Sequence, residues 1–310
     1  MKSLFLLLLV SFSTFVLVAQ KNSLTVVIDP GHGGTDPGHL SENTKLLPEK
    51  DLNLALSKKI GDYILSNLNN VHVVYTRNSD HFVSLDDRVA KANAVNADYF
   101  ISIHCNANHN KNIHGTESHV HSLKSAKSVA LAYEFERQFS TRAGRKSRGV
   151  KDSEDREHSL QVLKFTNMTS VLVEFGFLTN AHEANYLNTT YGQDILASAA
   201  FRAFRTFIQK EHPQLSILKT QSSTASKPTQ NQFSGSYTIQ LLSSRTAMDT
   251  QLEQFKRIGL PVERKMLSTT SAYKYLYTSG KYPSISAAQK DLEQIQRNGF
   301  KDAFIIKATR

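Results

Sequence analysis

The sequence predicts a large α/β domain, with a mostly parallel sheet flanked by helices, followed by a second, small α+β domain. Three observations carry this. Over residues 24–212, short apolar runs alternate with longer segments of helical period. Residues 213–235 are dominated in their second half by Ser, Thr, Gln, Lys and Asn, the composition of a flexible linker. Residues 236–309 then repeat a strand-and-helix theme twice on a smaller scale. With 310 residues, 40% of them apolar, the chain has enough material for two separate cores.

Residues 1–20 come first. Met1, Lys2 and Ser3 precede an almost unbroken apolar run from Leu4 to Val18, ending at Ala19 and Gln20, which reads as a secretory signal peptide. A cut after Ala19 leaves Leu17 three residues back rather than a small residue, so an uncleaved anchor is the competing reading; both export the remainder of the chain. No later apolar run is long enough to span a bilayer.

In the large domain, Leu24 to Ile28, Val71 to Thr76, Tyr99 to His104 and Val171 to Phe175 read as buried strands. Leu52, Leu56, Ile60, Tyr63 and Ile64 recur at helical spacing, and Ser84 with Asp87 forms a capping pattern ahead of Val89. Ala126 to Phe139 and Asp194 to Ile208 supply two further helices. Beyond the linker, Tyr237 to Leu242 and Tyr273 to Thr278 read as strands, Met248 to Ile258 and Ile285 to Arg297 as helices, and Phe304 to Ile306 as a last strand.

Composition narrows the class of function. Cys105 is the only cysteine, so no internal disulfide is available, and a lone residue of this kind reads more readily as a small buried hydrophobe than as a nucleophile. The net charge of +10 favours an anionic partner. Export directs that expectation away from nucleic acid and towards an anionic wall polymer or membrane surface, with a generally basic protein lacking a specific anion partner as the alternative.

Polar residues sit where open α/β sheets place their sites, at the carboxyl ends of strands. Asp29, Pro30, Gly31, His32, Gly33 and Gly34 follow the first strand, His104 closes the third, and Glu174 ends the most apolar run, where burial without a task is unfavourable. Glu49 opens the first helix, where the backbone dipole alone would also favour a carboxylate. Two histidines and a glutamate make up a ligand set suited to catalytic zinc, with a second glutamate left over to move a proton. Spacing alone leaves that open. His109, His114, His119 and His121 crowd after the third strand and read as loop and strand-edge residues rather than as a second metal site.

The ordered motifs carry a resemblance. Asp29 to Gly34, Glu49 with Lys50 and Asp51, Thr76 and Arg77 with Asp80, Leu85 with Arg88, Ala92 with Asn93, Ser102 to Ala107 and Val173 to Phe177 together resemble the type 3 N-acetylmuramoyl-L-alanine amidases across residues 24–210. The resemblance implies that His32, Glu49 and His104 bind one Zn2+ ion and that Glu174 is the catalytic carboxylate. It implies hydrolysis of the amide between the muramic acid lactyl group and L-alanine of peptidoglycan, in wall remodelling and daughter-cell separation. Cys105 stands where the family usually carries alanine. Some members contain an inserted autoinhibitory helix, for which Phe139 to Val150 is too short, so control by a protein activator is not expected.

Residues 236–309 resemble a SPOR domain, which implies binding to glycan strands stripped of peptides and concentration at the division septum within the periplasm or envelope. Gln240, Ser243, Tyr273 and Tyr275 fall at the expected contact positions, with Tyr275 replacing a frequent arginine; tyrosines on a half-buried strand also serve as packing residues. Two other readings of the chain remain: a zinc peptidase of the stem peptide, and an inactive wall-binding regulatory protein.

Overall fold

The computed structural model describes residues 22–156, 159–215, 217, 237–266, 274–300 and 303–308. The signal segment, most of the linker and Tyr273 lie outside the described residues.

Six strands form the sheet of the large domain: β1 (Leu24–Pro30), β2 (Val71–Tyr75), β3 (Tyr99–Asn106), β4 (Thr116–His119), β5 (Ser147–Lys151) and β6 (Thr169–Phe177), in the order β2-β1-β3-β6-β4-β5. The pairs β1/β2, β1/β3, β3/β6 and β4/β5 are parallel, and β4 runs antiparallel to β6. The expected mostly parallel sheet is therefore present, with one reversal where β4 joins it. Six helices accompany it: α1 (Glu49–Asn67), α2 (Leu85–Ala94), α3 (Ala126–Arg142), α4 (Gln161–Lys164), α5 (Ala181–Leu187) and α6 (Thr190–Glu211).

Burial on both faces explains why the strands read as continuous apolar runs. Leu24, Val26 and Ile28, with Ile101, Ile103, Val171 and Val173, pack into the main core with α1, α3 and α6. The alternate residues Val27, Phe100 and Leu172 face the other way, onto a smaller cluster with Ala92 of α2 and Val162 and Leu163 of α4. Each fully buried Leu or Ile contributes about 1.5–3 kcal/mol. The stripe Leu52, Leu56, Ile60, Tyr63 and Ile64 of α1 is buried as its spacing requires. Ser84 caps α2 by accepting from Asp87 N at 3.1 Å. Only residues 143–146 separate α3 from β5, which leaves no room there for an inserted helix.

The small domain follows the order β7 (Tyr237–Ser244), α7 (Glu253–Lys256), β8 (Val262–Met266), β9 (Tyr275–Tyr282), α8 (Ile285–Arg297) and β10 (Phe304–Lys307), with an antiparallel sheet ordered β10-β7-β9-β8. Its core joins Ile239, Leu241, Tyr277 and Ile305 from the sheet to Phe255, Ile258, Leu292 and Ile295 from the helical side. The helix expected over Met248 to Ile258 shortens to Glu253–Lys256. Two bonds explain this: Asp249 Oδ1 accepts from Gln251 N at 2.9 Å in a local turn, and Met248 N donates to the Tyr277 hydroxyl at 2.6 Å.

Phe304 leaves the small core. Pleating turns it and its register partner Gln240 to the sheet face opposite α7 and α8. There its ring meets Tyr63 at 5.5 Å and Phe201 at 6.2 Å, with the Arg202 guanidinium 4.3 Å from its centroid. The small domain thus lies against α1 and α6 along β10.

Candidate metal centre and active site

The turn after β1 is built to bring its histidine over the sheet edge. Asp29, 1% exposed, is held by Arg88 Nη1 at 2.7 Å, Thr76 Oγ1 at 2.5 Å and Ser102 Oγ at 2.7 Å. Arg77 donates to the carbonyls of Pro30, Gly31 and Lys50, and Arg88 to those of Pro30 and His32. Two buried guanidiniums therefore satisfy the carbonyls that the turn leaves without strand partners. Lys50 Nζ bonds Gly34 O at 2.9 Å and Asp80 at 2.7 Å, tying the far side of the loop to the start of α1.

His32 adopts a left-handed backbone, φ 60°, which few non-glycine residues take up outside sites that over-determine them. Its Nδ1 meets Asp36 Oδ2 at 2.8 Å and its Nε2 lies 3.2 Å from Glu49 Oε1. Glu49, first residue of α1, is 5% exposed; its Oε1 also lies 3.1 Å from His104 Nδ1 and accepts from Cys105 N and Asn53 Nδ2, while Oε2 accepts from His39 N. Two glycines make this approach possible. A Cβ on Gly31 would stand 2.2 Å from His104 Nε2, and one on Gly38 2.6 Å from Glu49 Oε2.

The donor atoms of His32, Glu49 and His104 all lie within 4.8 Å of one another. Two imidazoles and one carboxylate, with Asp36 fixing the second nitrogen of His32, are the donor set and outer support that zinc uses. The three residues fit that metal. Burial disfavours the Glu49 carboxylate, yet the hydrogen bonds and charges of His104 and His32 more than offset it and hold its pKa well below the usual range. A ligand kept ionised this way is ready for a cation.

Glu174 stands beside them, its Cα in register with that of His104 on β3 and, on the other side, with that of Glu117 on β4. Its Oε2 is sealed from solvent and makes no hydrogen bond among the described residues. Burial, then the negative charges of Glu49 and Glu117, push its pKa well up. A carboxyl that holds a proton this readily, next to a candidate metal centre, is suited to proton transfer. Cys105 is 2% exposed, and burial raises its thiol pKa well above the ordinary value, so it is a packing residue.

A family model described as N-acetylmuramoyl-L-alanine amidase matches residues 26–206, more than half of the chain. The chain belongs to this family. It is 36% identical over 191 residues to the N-acetylmuramoyl-L-alanine amidase LytC of Bacillus subtilis, covering 60% of this chain but only 36% of that longer protein. Among solved structures, the N-acetylmuramoyl-L-alanine amidase of Clostridium difficile 630 superposes with a TM-score of 0.57 at 32% identity, over 61% of this chain and 99% of that one. AmiC2 of Nostoc punctiforme gives 0.54 at 32% identity, over 60% and 97%. The family model ends at residue 206, ahead of the small domain.

Within the amidase domain, the structure brings His32, Glu49 and His104 within 4.8 Å of one another and sets Glu174 in register with His104 on the adjacent strand. Asp36, Gly38, Asn53 and Glu117 adjoin this cluster without having been expected from the sequence. Asn53 carried a usable signal, one helical turn from Glu49 on the same face; Glu117 had none, because its strand is polar. In the small domain, Gln240 is 4% exposed and 3.4 Å from Ser243 Oγ, on the sheet face that meets the amidase domain; Ser243 at the end of β7 is half-buried. Tyr275 packs against the helix-covered core with the Arg264 guanidinium 5.6 Å from its ring. No helix among the described residues is long and apolar enough to cross a membrane.

Proposed function

We propose that the chain is an exported zinc-dependent N-acetylmuramoyl-L-alanine amidase, which hydrolyses the amide between the lactyl group of muramic acid and the first alanine of the stem peptide. The observation that carries this reading is the convergence of His32, Glu49 and His104 beside Glu174 in a domain of this family. His32, Glu49 and His104 would hold the ion. A zinc ion bound there supplies Lewis-acid polarisation of the amide carbonyl and brings the pKa of water down to about 7.

The chain's own residues do the rest. With the charge of the ion nearby favouring its ionised form, Glu174 would take a proton from the attacking water and deliver it to the departing alanine nitrogen, so that no covalent intermediate is required. Asp36 fixes the His32 ring through Nδ1, and Asn53 with the backbone N–H groups of His39 and Cys105 fixes the Glu49 carboxylate. Arg77 and Arg88 hold the turn that presents His32.

The leading apolar segment supports export, and the composition and strand-helix repeat of residues 236–309 support a SPOR-like module that binds peptide-free glycan and brings the enzyme to division septa. Purified peptidoglycan treated with the zinc-loaded protein should release intact stem peptides by mass spectrometry. Glu174→Gln should retain zinc while activity falls by at least about a hundredfold. Shortened peptides would instead mark a stem peptidase, and full activity of Glu174→Gln would sink the role given to that residue.

A further inference from the structure

A row of ionisable side chains crosses the sheet of the amidase domain. It passes from His104 on β3 through Glu174 on β6 to Glu117 on β4, each in register with the next, and ends on Arg148 and Lys151 of β5. Adjacent strands lie about 4.8 Å apart, so β5 runs about 10 Å from the strand that carries Glu174. The amidase reading uses the first half of this row and leaves the second without a role.

Glu117 is the centre of that second half. It is 5% exposed. Its Oε1 accepts from Asn106 Nδ2 at 2.7 Å and lies 3.4 Å from His119 Nε2, while Oε2 accepts from both Arg148 Nε at 2.9 Å and Lys151 Nζ at 2.8 Å. Burial lowers the pKa of His119 despite Glu117, leaving the imidazole neutral near pH 7. Two permanent cations therefore share the one carboxylate of Glu117, which balances only one of them.

Both cations reach outward. The side chains of Arg148 and Lys151 are 23% and 30% exposed, and the two terminal nitrogens of Arg148 find no acceptor among the described residues. The guanidinium also lies 5.2 Å from the centroid of the Phe177 ring, which orients it. Two cations held on a common oxygen, with planar donors left unpaired two strands from Glu174, form a receptor for a second carboxylate.

We propose that Arg148 and Lys151 form an anion subsite that takes the free carboxylate borne by the residue following the first alanine of the stem peptide, with Glu117 positioning both cations. This rests on the amidase reading. A carboxylate one residue beyond the scissile amide lies about 4–7 Å from it, and the long arms of the two side chains span the rest of the distance to β5. The site would thereby favour stems whose second residue keeps its acid over those in which it is a carboxamide.

The test compares two soluble substrates, N-acetylmuramoyl-L-alanyl-γ-D-glutamate and the same compound with its α-carboxylate converted to the amide. The zinc-loaded full chain should cleave the acid with a kcat/KM about tenfold higher, mostly through KM. Arg148→Gln and Lys151→Gln should each bring the acid-to-amide ratio towards one, and Lys151→Arg should preserve it. Titration calorimetry of both substrates into Glu174→Gln should give the same preference in binding and does not depend on turnover. A wild-type ratio of one, or a ratio unchanged in folded Arg148→Gln, would overturn the subsite while leaving the amidase intact. Cleavage of neither substrate by zinc-loaded protein would overturn the amidase reading and the subsite together.

Discussion

Arg88→Met offers a quantitative test of how the metal-binding turn is held. Arg88 is 3% exposed and makes four bonds: to Asp29 Oδ1 at 2.7 Å, to the carbonyls of Pro30 and His32 at 2.7 and 2.8 Å, and to Val83 O at 3.1 Å. Methionine fills similar space without donors, so the loss is electrostatic rather than volumetric. Breaking one side of a buried ion pair costs about 3–5 kcal/mol. Thr76 and Ser102 still donate to Asp29, which places the expected loss near the lower end, about 3 kcal/mol. For a domain of this size that corresponds to a fall of roughly 6–12 °C in the thermal midpoint. Urea melts of the metal-free protein give the number directly, and Asp29→Asn in the same chain should recover part of it, because the orphaned charge is then gone. A loss below about 1 kcal/mol in Arg88→Met would refute the argument that this guanidinium neutralises Asp29 and anchors the turn.

Three further outcomes are expected. Gly31→Ala forces a Cβ to within 2.2 Å of His104 Nε2, so zinc affinity should drop about tenfold or more while the far-ultraviolet spectrum stays unchanged; an unaltered zinc titration would exclude the His104 placement. Glu174 has a raised folded pKa, so folding binds a proton and the stability of the metal-free protein should decline as pH rises above the ordinary value of 4.5; Glu174→Gln should flatten that decline, and parallel pH profiles would contradict its burial. Phe304→Ala should destabilise the full chain by about 3 kcal/mol in denaturant melts through loss of the Tyr63 and Phe201 contacts, and an effect near zero would mean that β10 does not dock on α1 and α6.

The apolar strands β1, β3 and β6 and the stripe of α1 were legible in the amino-acid sequence, because burial on two faces demands continuous hydrophobic runs and a helix facing a core demands period 3.6. The candidate site was legible through the ordered motifs rather than through strand ends: Glu49 does open α1 and His32 follows β1, but β3 runs on past His104 to Asn106 and β6 past Glu174 to Phe177, because apolar Phe175 and Phe177 continue the buried strand. Hydrophobicity could not reveal β4. Thr116, Glu117, Ser118 and His119 are all polar, yet all are buried, because Glu136 accepts from Thr116 and Ser118 on one face while Arg148 and Lys151 satisfy Glu117 on the other. Their partners come from distant segments and have no local signature.

By itself, then, the order of residues determined the α/β class, the strands that carry the site and the identity of four chemical groups, since each depends on a local period or on a residue type. Only the tertiary structure decided that the three candidate ligands come within 4.8 Å of one another, that Glu117 lies across from Glu174, and that Gln240 faces the amidase domain rather than solvent. Those facts depend on strand order, on the direction in which β4 enters the sheet and on the docking of β10. Such arrangements are set by packing between segments far apart along the chain, where no repeat or spacing in the sequence records them.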